Sequence, residues 1–552
     1  MRILPILFTI ALASVLGPQL SVAQLAPNTH WIQFTDKHNS PYQIVAPEAF
    51  LSQRAIDRRT RYQIAIDSTD LPVNSWYLDS LRQKGAMVYQ VSKWLNGAAI
   101  YITQADSLAK IYQLPFVDST ESHDPVYAFN AVPLNSSSNF AAIEAISAID
   151  YGSAFNQIDL HHGQMMHQQG YMGDGMYVAI IDAGFQTIDQ VPAFDSLFLN
   201  QQIIGTWDFI SQDTNVYDDH NHGKSVLSTM AANLPGEFVG TAPHAHYLLL
   251  RSENTASEYK IEEINWIAAA EMADSVGVDV VNTSLGYQSY NAPSEPYTWA
   301  VLDGQTAPIT IGTNMAARKG MLMVTSAGND GEYAWRKITP PADAELGLSV
   351  AACDQNGLYA SFSSQGFTAD GRIKPDVAAK GQSATIITST NVVTGNGTSF
   401  SSPILAGLAT CLWQVDLSKS NFDIMELIHK HSSQYNNPDS LMGYGIPNFA
   451  NAMNDLLANI ETISSPVDLV QSVYPNPFVE SISLRFYSKS QQNITIELLS
   501  LDGKKVKQMS FPTDSNQLNF IKLSGLEHLN SGVYFLQVHS NQITKNQKLI
   551  KM

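Results

Sequence analysis

Four short apolar runs, residues 177–181, 247–250, 278–281 and 322–325, are nearly unbroken by polar side chains. Strands that alternate apolar and polar positions expose one face, whereas continuous runs of this kind belong to strands buried on both faces of a parallel sheet. Residues 262–276 lie between two of the runs and repeat with a helical period. Strand and helix in alternation predict an α/β domain with a mostly parallel central sheet, whose functional loops belong at the carboxyl ends of the strands. The pattern differs on either side. Residues 30–34, 87–90 and 98–102 read as strands, 47–61 as a helix opened by proline and 106–114 as a second helix, which makes a small α+β unit of residues 24–120. Beyond residue 464 come strands at 481–487, 494–499, 532–539 and 548–552 with an Asp502-Gly503 hairpin turn, the pattern of a β-sandwich over 465–552.

Composition narrows the class. The chain has 552 residues, 31 basic and 50 acidic, for a net charge of −19. That sign opposes phosphate-backbone binding and argues against a nucleic-acid partner. Two cysteines, Cys353 and Cys411, exclude a disulfide scaffold and a cysteine zinc site, and they are expected as buried thiols. Met1-Arg2, the apolar stretch 3–16 and Ser21-Val22-Ala23 before Gln24 have the layout of a secretory signal over 1–23. No later stretch reaches the length of a transmembrane helix, so the expected product is exported and soluble. Residues 121–150, with the small polar run 135–139, form a link open to cleavage, and 151–460 hold the α/β domain.

Four islands in that domain carry residue types suited to nucleophilic acyl transfer. Asp182 ends an apolar run before Ala183-Gly184; His222 opens a small-residue helix in His220-Asn221-His222-Gly223-Lys224; Asn329 follows Ser326-Ala327-Gly328; and Ser399 sits in Gly395-Asn396-Gly397-Thr398-Ser399 ahead of a helix. A serine hydroxyl is a weak nucleophile until a base takes its proton and a third group orients that base. Ser399, His222 and Asp182 are those types. The Asn329 amide and the Ser399 N–H could meet a developing oxyanion. His220 and His222 with Asp218 and Asp219 admit a metal reading, but no His-Glu-x-x-His helix accompanies them.

The order Asp182, His222, Ser399 resembles that of the subtilisin-like serine proteases (family S8). So do Gly240-Thr241-Ala242-Pro243, Asn282-Thr283-Ser284-Leu285-Gly286, Lys374-Pro375-Asp376-Val377 and Met442-Gly443-Tyr444-Gly445. The resemblance implies that Ser399 is the nucleophile, His222 the base, Asp182 its orienting acid and Asn329 the oxyanion donor. It implies that Ser284, Leu285 and Gly286 and the segment Ser326, Ala327 and Gly328 bind substrate. No cofactor is implied as required; calcium often stabilises this family, with no ligands assignable here. Three positions depart from the pattern: Ala183 replaces a hydroxyl residue, Lys224 a threonine, and Phe400-Ser401-Ser402-Pro403 follows the nucleophile. Asp330 and Glu332 suggest a basic substrate side chain.

Residues 30–119 resemble propeptides of secreted bacterial subtilisin-like proteases, which implies a folding aid and inhibitor that is cut away in the 121–150 link. The C-terminal block, with Tyr474-Pro475-Asn476-Pro477-Phe478 and Gly532-Val533-Tyr534-Phe535, resembles sorting domains of the type IX secretion system. Together these resemblances imply a secreted or surface serine endopeptidase acting on proteins or peptides, with its own propeptide and the export machinery as partners. The competing expectation is a surface binding protein on an inactive protease scaffold.

Overall fold

The computed structural model describes residues 28–118, 149–291, 294–461, 468–474, 478, 482–515 and 517–551. The expected signal segment and all but the end of the expected processing link lie outside these residues. Among the described residues no helix is long and apolar enough to cross a membrane.

The N-terminal region runs β1 (Thr29–Gln33), α1 (Gln53–Arg61), α2 (Ser75–Gln83), β2 (Met87–Ser92), β3 (Gly97–Tyr101) and α3 (Ala105–Tyr112). Its antiparallel sheet, ordered β1-β3-β2, packs on the helices through Ile32, Leu81, Ile100 and Ile111. The single helix expected over 47–61 is two elements, a 3-10 turn Pro47–Ala49 and then α1. Ser52 divides them: its backbone is extended, and its Oγ accepts the Ala55 N–H at 3.1 Å, which makes it a new N-cap.

The central region continues α4 (Phe155–Asp159), α5 (Gln164–Gln168), β4 (Tyr177–Asp182), α6 (Asp195–Leu199), β5 (Ile203–Asp208) and α7 (His222–Ala231). A short hairpin, β6 (Asn233–Leu234) and β7 (Phe238–Val239), precedes β8 (His246–Arg251), α8 (Ile261–Val276), β9 (Val280–Thr283) and α9 (Pro308–Arg318). Then follow β10 (Leu322–Ser326), β11 (Leu348–Cys353), β12 (Val377–Lys380), the hairpin β13 (Ala384–Ile387) and β14 (Val392–Gly395), α10 (Thr398–Val415), α11 (Asn421–Lys430) and α12 (Phe449–Glu461). Seven parallel strands form one sheet in the order β12-β11-β10-β9-β4-β8-β5. From β4 the chain crosses to the edge strand β5, returns inward to β8 and then passes to the other side of β4 to build β9 to β12 outward, so the topological switch lies beside β4. Its carboxyl end is therefore the place for a site.

The third apolar run begins its strand two residues later than expected, at Val280. Gly277, in the left-handed region at φ 92°, ends α8, and the Val278 N–H closes that cap on Ala273 O at 3.0 Å. Both cysteines are buried free thiols. His161 and His167 are core residues: burial lowers each to about 4, against the partly compensating hydrogen bonds to the Pro447 and Thr241 carbonyls.

The N-terminal region docks on α8. Trp31, Trp94, Leu95 and Ala99 share a core with Trp266, Ile267 and Ala270. Around that apolar seam the bonds are ionic. Asp274 receives both Arg58 and Arg59, and Glu271 accepts the Lys93 and Trp94 N–H groups, each at 2.9 Å.

The C-terminal strands form a three-stranded antiparallel sheet, β15 (Leu469–Tyr474), β16 (Ile482–Ser488) and β19 (Gln517–Leu523), and a four-stranded one ordered β18 (Lys505–Thr513), β17 (Gln492–Ser500), β20 (Gly532–His539) and β21 (Thr544–Lys551). Leu484, Phe486, Ile496, Leu536 and Leu549 fill the core between them.

Candidate active site

Asp182 is the last residue of β4 and His222 the first of α7. Gly223 lets the helix start approach that strand end: a Cβ there would stand 2.5 Å from Gly184 O and 3.1 Å from Asp182 Cβ. The imidazole Nδ1 consequently lies 2.7 Å from Asp182 Oδ1, which also accepts the Ala183 N–H at 2.7 Å. Asp182 is buried, while the His222 side chain keeps 30% of its surface exposed. Burial disfavours the charged ring, but the Asp182 charge and hydrogen bond, with a further contribution from Glu253, outweigh it and raise His222 above its ordinary value. Asp182 Oδ2 is buried and takes no hydrogen bond from the protein.

Ser399 is the second residue of α10, where backbone N–H groups have no intrahelical acceptor. Pro403 lies four residues on, and because proline lacks an N–H it leaves the Ser399 carbonyl free. Ser284 Oγ donates to that carbonyl at 2.9 Å, and the Ser399 hydroxyl donates back to Ser284 O at 3.3 Å. In this conformation Ser399 thus bonds to the end of β9 rather than to the imidazole. Catalytic hydrogen bonds often tighten only when substrate is bound.

Asn329 lies beyond the end of β10. Its Oδ1 accepts the Thr398 N–H at 2.8 Å and the Thr398 hydroxyl at 3.1 Å, so the Nδ2 donor is the end left for another partner. Thr398 also receives Gly328 N–H at 3.2 Å. The four residues singled out from the sequence are therefore gathered at the carboxyl edge of one sheet. Ser284, Leu285 and Gly286 continue β9, and Ser326, Ala327 and Gly328 close and continue the neighbouring β10.

Sequence reasoning missed the supports. Asn282 Nδ2 donates to Ser284 Oγ at 3.0 Å and its Oδ1 accepts from Ser402 at 2.8 Å, tying β9 to α10. Arg251, opposite Asp182 in the β4–β8 register, is paired with Asp208 at 2.7 Å and with Asp219, three residues before His222. Asp219 thereby pairs with an arginine, and Asp218 accepts from the Asn215 amide at 2.6 Å. Of the two acids considered for a basic substrate side chain, Glu332 accepts the Ser361 hydroxyl and Asp330 N–H donates to Ser364 Oγ at 3.0 Å.

The one carboxylate group among the described residues with the spacing for a cation is Glu253, Glu258 and Glu262, whose oxygens lie within 4.8 Å of one another. Burial first, and then neighbouring carboxylate charges, Glu253 and Glu263 on Glu258 and Glu253 and Glu258 on Glu262, raise Glu258 to about 8 and Glu262 to about 10. The Lys374-Pro375-Asp376-Val377 and Met442-Gly443-Tyr444-Gly445 blocks serve the frame. Lys374 Nζ lies 2.6 Å from Asp376 Oδ2, and Tyr444 N–H donates to Asp376 O at 2.6 Å.

Family models match three successive stretches of the chain. Residues 173–445 match the model of the subtilase family, 29–141 the peptidase S8 propeptide domain of Bacteroidota, and 472–552 the secretion system C-terminal sorting domain. Serine protease AprX of Bacillus subtilis is 27% identical over 316 residues, 52% of this chain and 67% of that protein. Subtilisin Savinase of Lederbergia lenta is 28% identical over 283 residues, 51% of this chain and 92% of its own. Among solved structures, MycP1 from Mycobacterium smegmatis aligns with 60% of this chain and 90% of its own at 20% identity and a TM-score of 0.42. The sorting domain marks the chain for type IX export, to the medium or the cell surface. The chain thus carries a subtilase-family peptidase domain, which supports a serine peptidase, with an S8 propeptide domain ahead of it and a secretion-sorting domain behind it.

Proposed function

We propose that this protein is a secreted endopeptidase that cleaves peptide bonds through an acyl-enzyme at Ser399. The observation that carries the reading is the 2.7 Å Asp182–His222 pair beside a serine on the first turn of α10. Rotation of the Ser399 hydroxyl off Ser284 O toward the imidazole starts the reaction. The Oγ–carbon bond forms while the proton passes to His222 Nε2, and Asp182 stabilises the resulting imidazolium without taking the proton. Negative charge on the carbonyl oxygen is met by Asn329 Nδ2 and the Ser399 N–H, at the positive end of the α10 dipole. His222 then returns the proton to the leaving amine, the carbon–nitrogen bond breaks, and water releases the acyl group by the same steps in reverse order. The nucleophile, the base, its orienting acid and the oxyanion donors in this sequence all come from the chain, and water is the second substrate.

The docked N-terminal region acts as inhibitor until it is cut away, and the C-terminal domain is read by the type IX machinery. Casein hydrolysis and labelling by a serine-directed phosphonate, on the exported protein and on Ser399→Ala in parallel, test the proposal. Both signals should vanish in the variant. A processed, folded wild type that neither cleaves nor labels would return the inactive-scaffold reading.

A further inference from the structure

Two of the six substrate-binding positions are glycines, and both face the same side chain. A Cβ on Gly286 would stand 2.3 Å from Thr339 Oγ1; one on Gly328 would stand 3.2 Å from that atom and 2.7 Å from Ser364 Oγ. The Thr339 side chain therefore already fills the space against both glycine backbones. Its segment is bonded to each wall, the Thr339 N–H to Ala327 O at 3.3 Å and the Tyr287 N–H to Pro340 O at 3.0 Å. Thr339 is 5% exposed, and the residues around it, Ala327, Ile338 and Ala342, pack with Leu302 in a small core of their own. The floor is thus stitched on two sides and backed by packed side chains, so it has nowhere to retract.

We infer that Thr339 closes the pocket for the side chain preceding the scissile bond, which restricts that side chain to small residues such as alanine or serine. The inference rests on the proposed peptidase reading, in which the segments 284–286 and 326–328 flank the substrate. A threonine places three heavy atoms where glycine has none, and a benzyl group brings seven that need the same space. A misfit of even one methylene in an apolar pocket changes kcat/KM by roughly 10- to 200-fold.

The test uses the processed, exported enzyme and p-nitroanilides of the form succinyl-Ala-Ala-Pro-X, with X alanine, phenylalanine or lysine. Wild type should favour alanine over both others by roughly tenfold or more in kcat/KM. Thr339→Gly should raise the phenylalanine-to-alanine ratio by a similar factor, and Thr339→Val, equal in volume, should keep the wild-type order. A wild type that accepts phenylalanine or lysine as readily as alanine overturns the inference and leaves the peptidase reading standing, as does an active Thr339→Gly with an unchanged ratio. A wild type inert on the whole panel and toward the phosphonate overturns both readings. The wild-type panel decides even if Thr339→Gly does not fold, and Thr339→Ser then supplies the smaller opening.

Discussion

Two carboxylates in this molecule each hold a cationic partner, and they are built to opposite ends. Asp182 meets one imidazole at the mouth of the cleft, and that ring keeps 30% of its side-chain surface in solvent and its second nitrogen available. Asp274 meets two guanidinium groups, Arg58 and Arg59, at the seam with the N-terminal region, where none of the three side chains is more than 2% exposed. At the seam, burial opposes the charged carboxylate, but the Arg59 and Arg58 charges, helped by Lys93, hold it far below the usual carboxylate range. At the cleft burial opposes the charged ring, and the Asp182 charge and hydrogen bond outweigh it and raise His222. A pair meant to pass protons must stay near neutrality and open, whereas one meant to hold two regions together can be sealed.

Mutations should separate the two. Ser399→Ala should abolish turnover, by a factor on the order of 10⁶ as for subtilisin itself, and leave the seam's resistance to denaturant intact. Asp274→Ala strands the buried Arg58 guanidinium and leaves Arg59 with Asp70 alone, and should cost the unprocessed protein about 3–5 kcal/mol, read as a shift of the urea midpoint. If Asp274→Ala leaves the midpoint unmoved, the seam is not held by its charges. Asn329→Ala should lower kcat by about 10²–10³ with a smaller change in KM, the loss known for a subtilisin oxyanion donor, and should not touch the seam.

The two regions also differ in how far sequence displays them. The buried strands of the central sheet were legible because residues sealed on both faces must be apolar throughout, and Asp182 stood out where such a run ends in a small-residue turn. Ser399 and Asn329 were legible through their glycine-rich turns. Arg58 and Asp274 were not: their partnership spans 216 residues, and each side chain alone reads as an ordinary solvated charge. Arg251 was hidden in the same way, at the end of an apolar run with its partners on a different strand and loop. Strand β18 escaped notice because its apolar residues, Val506, Met509 and Phe511, are only half-buried and do not alternate strictly with polar ones. Local pattern reveals elements and turns; pairing across the fold depends on topology that no single segment carries.

Acid should widen the contrast. His222 must be neutral to accept the serine proton, and its affinity for protons is raised, so kcat/KM should fall on acidification with a midpoint above the ordinary imidazole value of about 6.5. Asp274 shifts the other way. Its stabilisation is fully present above the unfolded carboxylate value of about 3.9 and is lost only below it, so this pair should lose no stability between pH 8 and 5. A pH–rate profile measured beside a pH–stability profile of the unprocessed protein checks both. Activity that stays flat through the histidine range would contradict His222 as the base.

The smallest expected effect lies at Ala183. Asp182 Oδ1 accepts both the Ala183 N–H and the imidazole, while Oδ2 is buried without a protein donor. Ala183→Ser adds a hydroxyl within reach of that second oxygen at a position only 8% exposed. A donor there draws carboxylate charge away from the imidazolium, so the His222 affinity for protons should fall and the acid limb of kcat/KM should move to lower pH. One hydrogen bond contributes about 0.5–1.5 kcal/mol and a full pKa unit corresponds to about 1.4 kcal/mol, so the shift should stay under about one unit. The seam, with Asp274 already held by two arginines, should show no change in its urea midpoint. A shift to higher pH would mean that the added hydroxyl competes for Oδ1 and loosens the imidazole instead, and the low-field proton resonance of the Asp182–His222 hydrogen bond would then move upfield in the same variant.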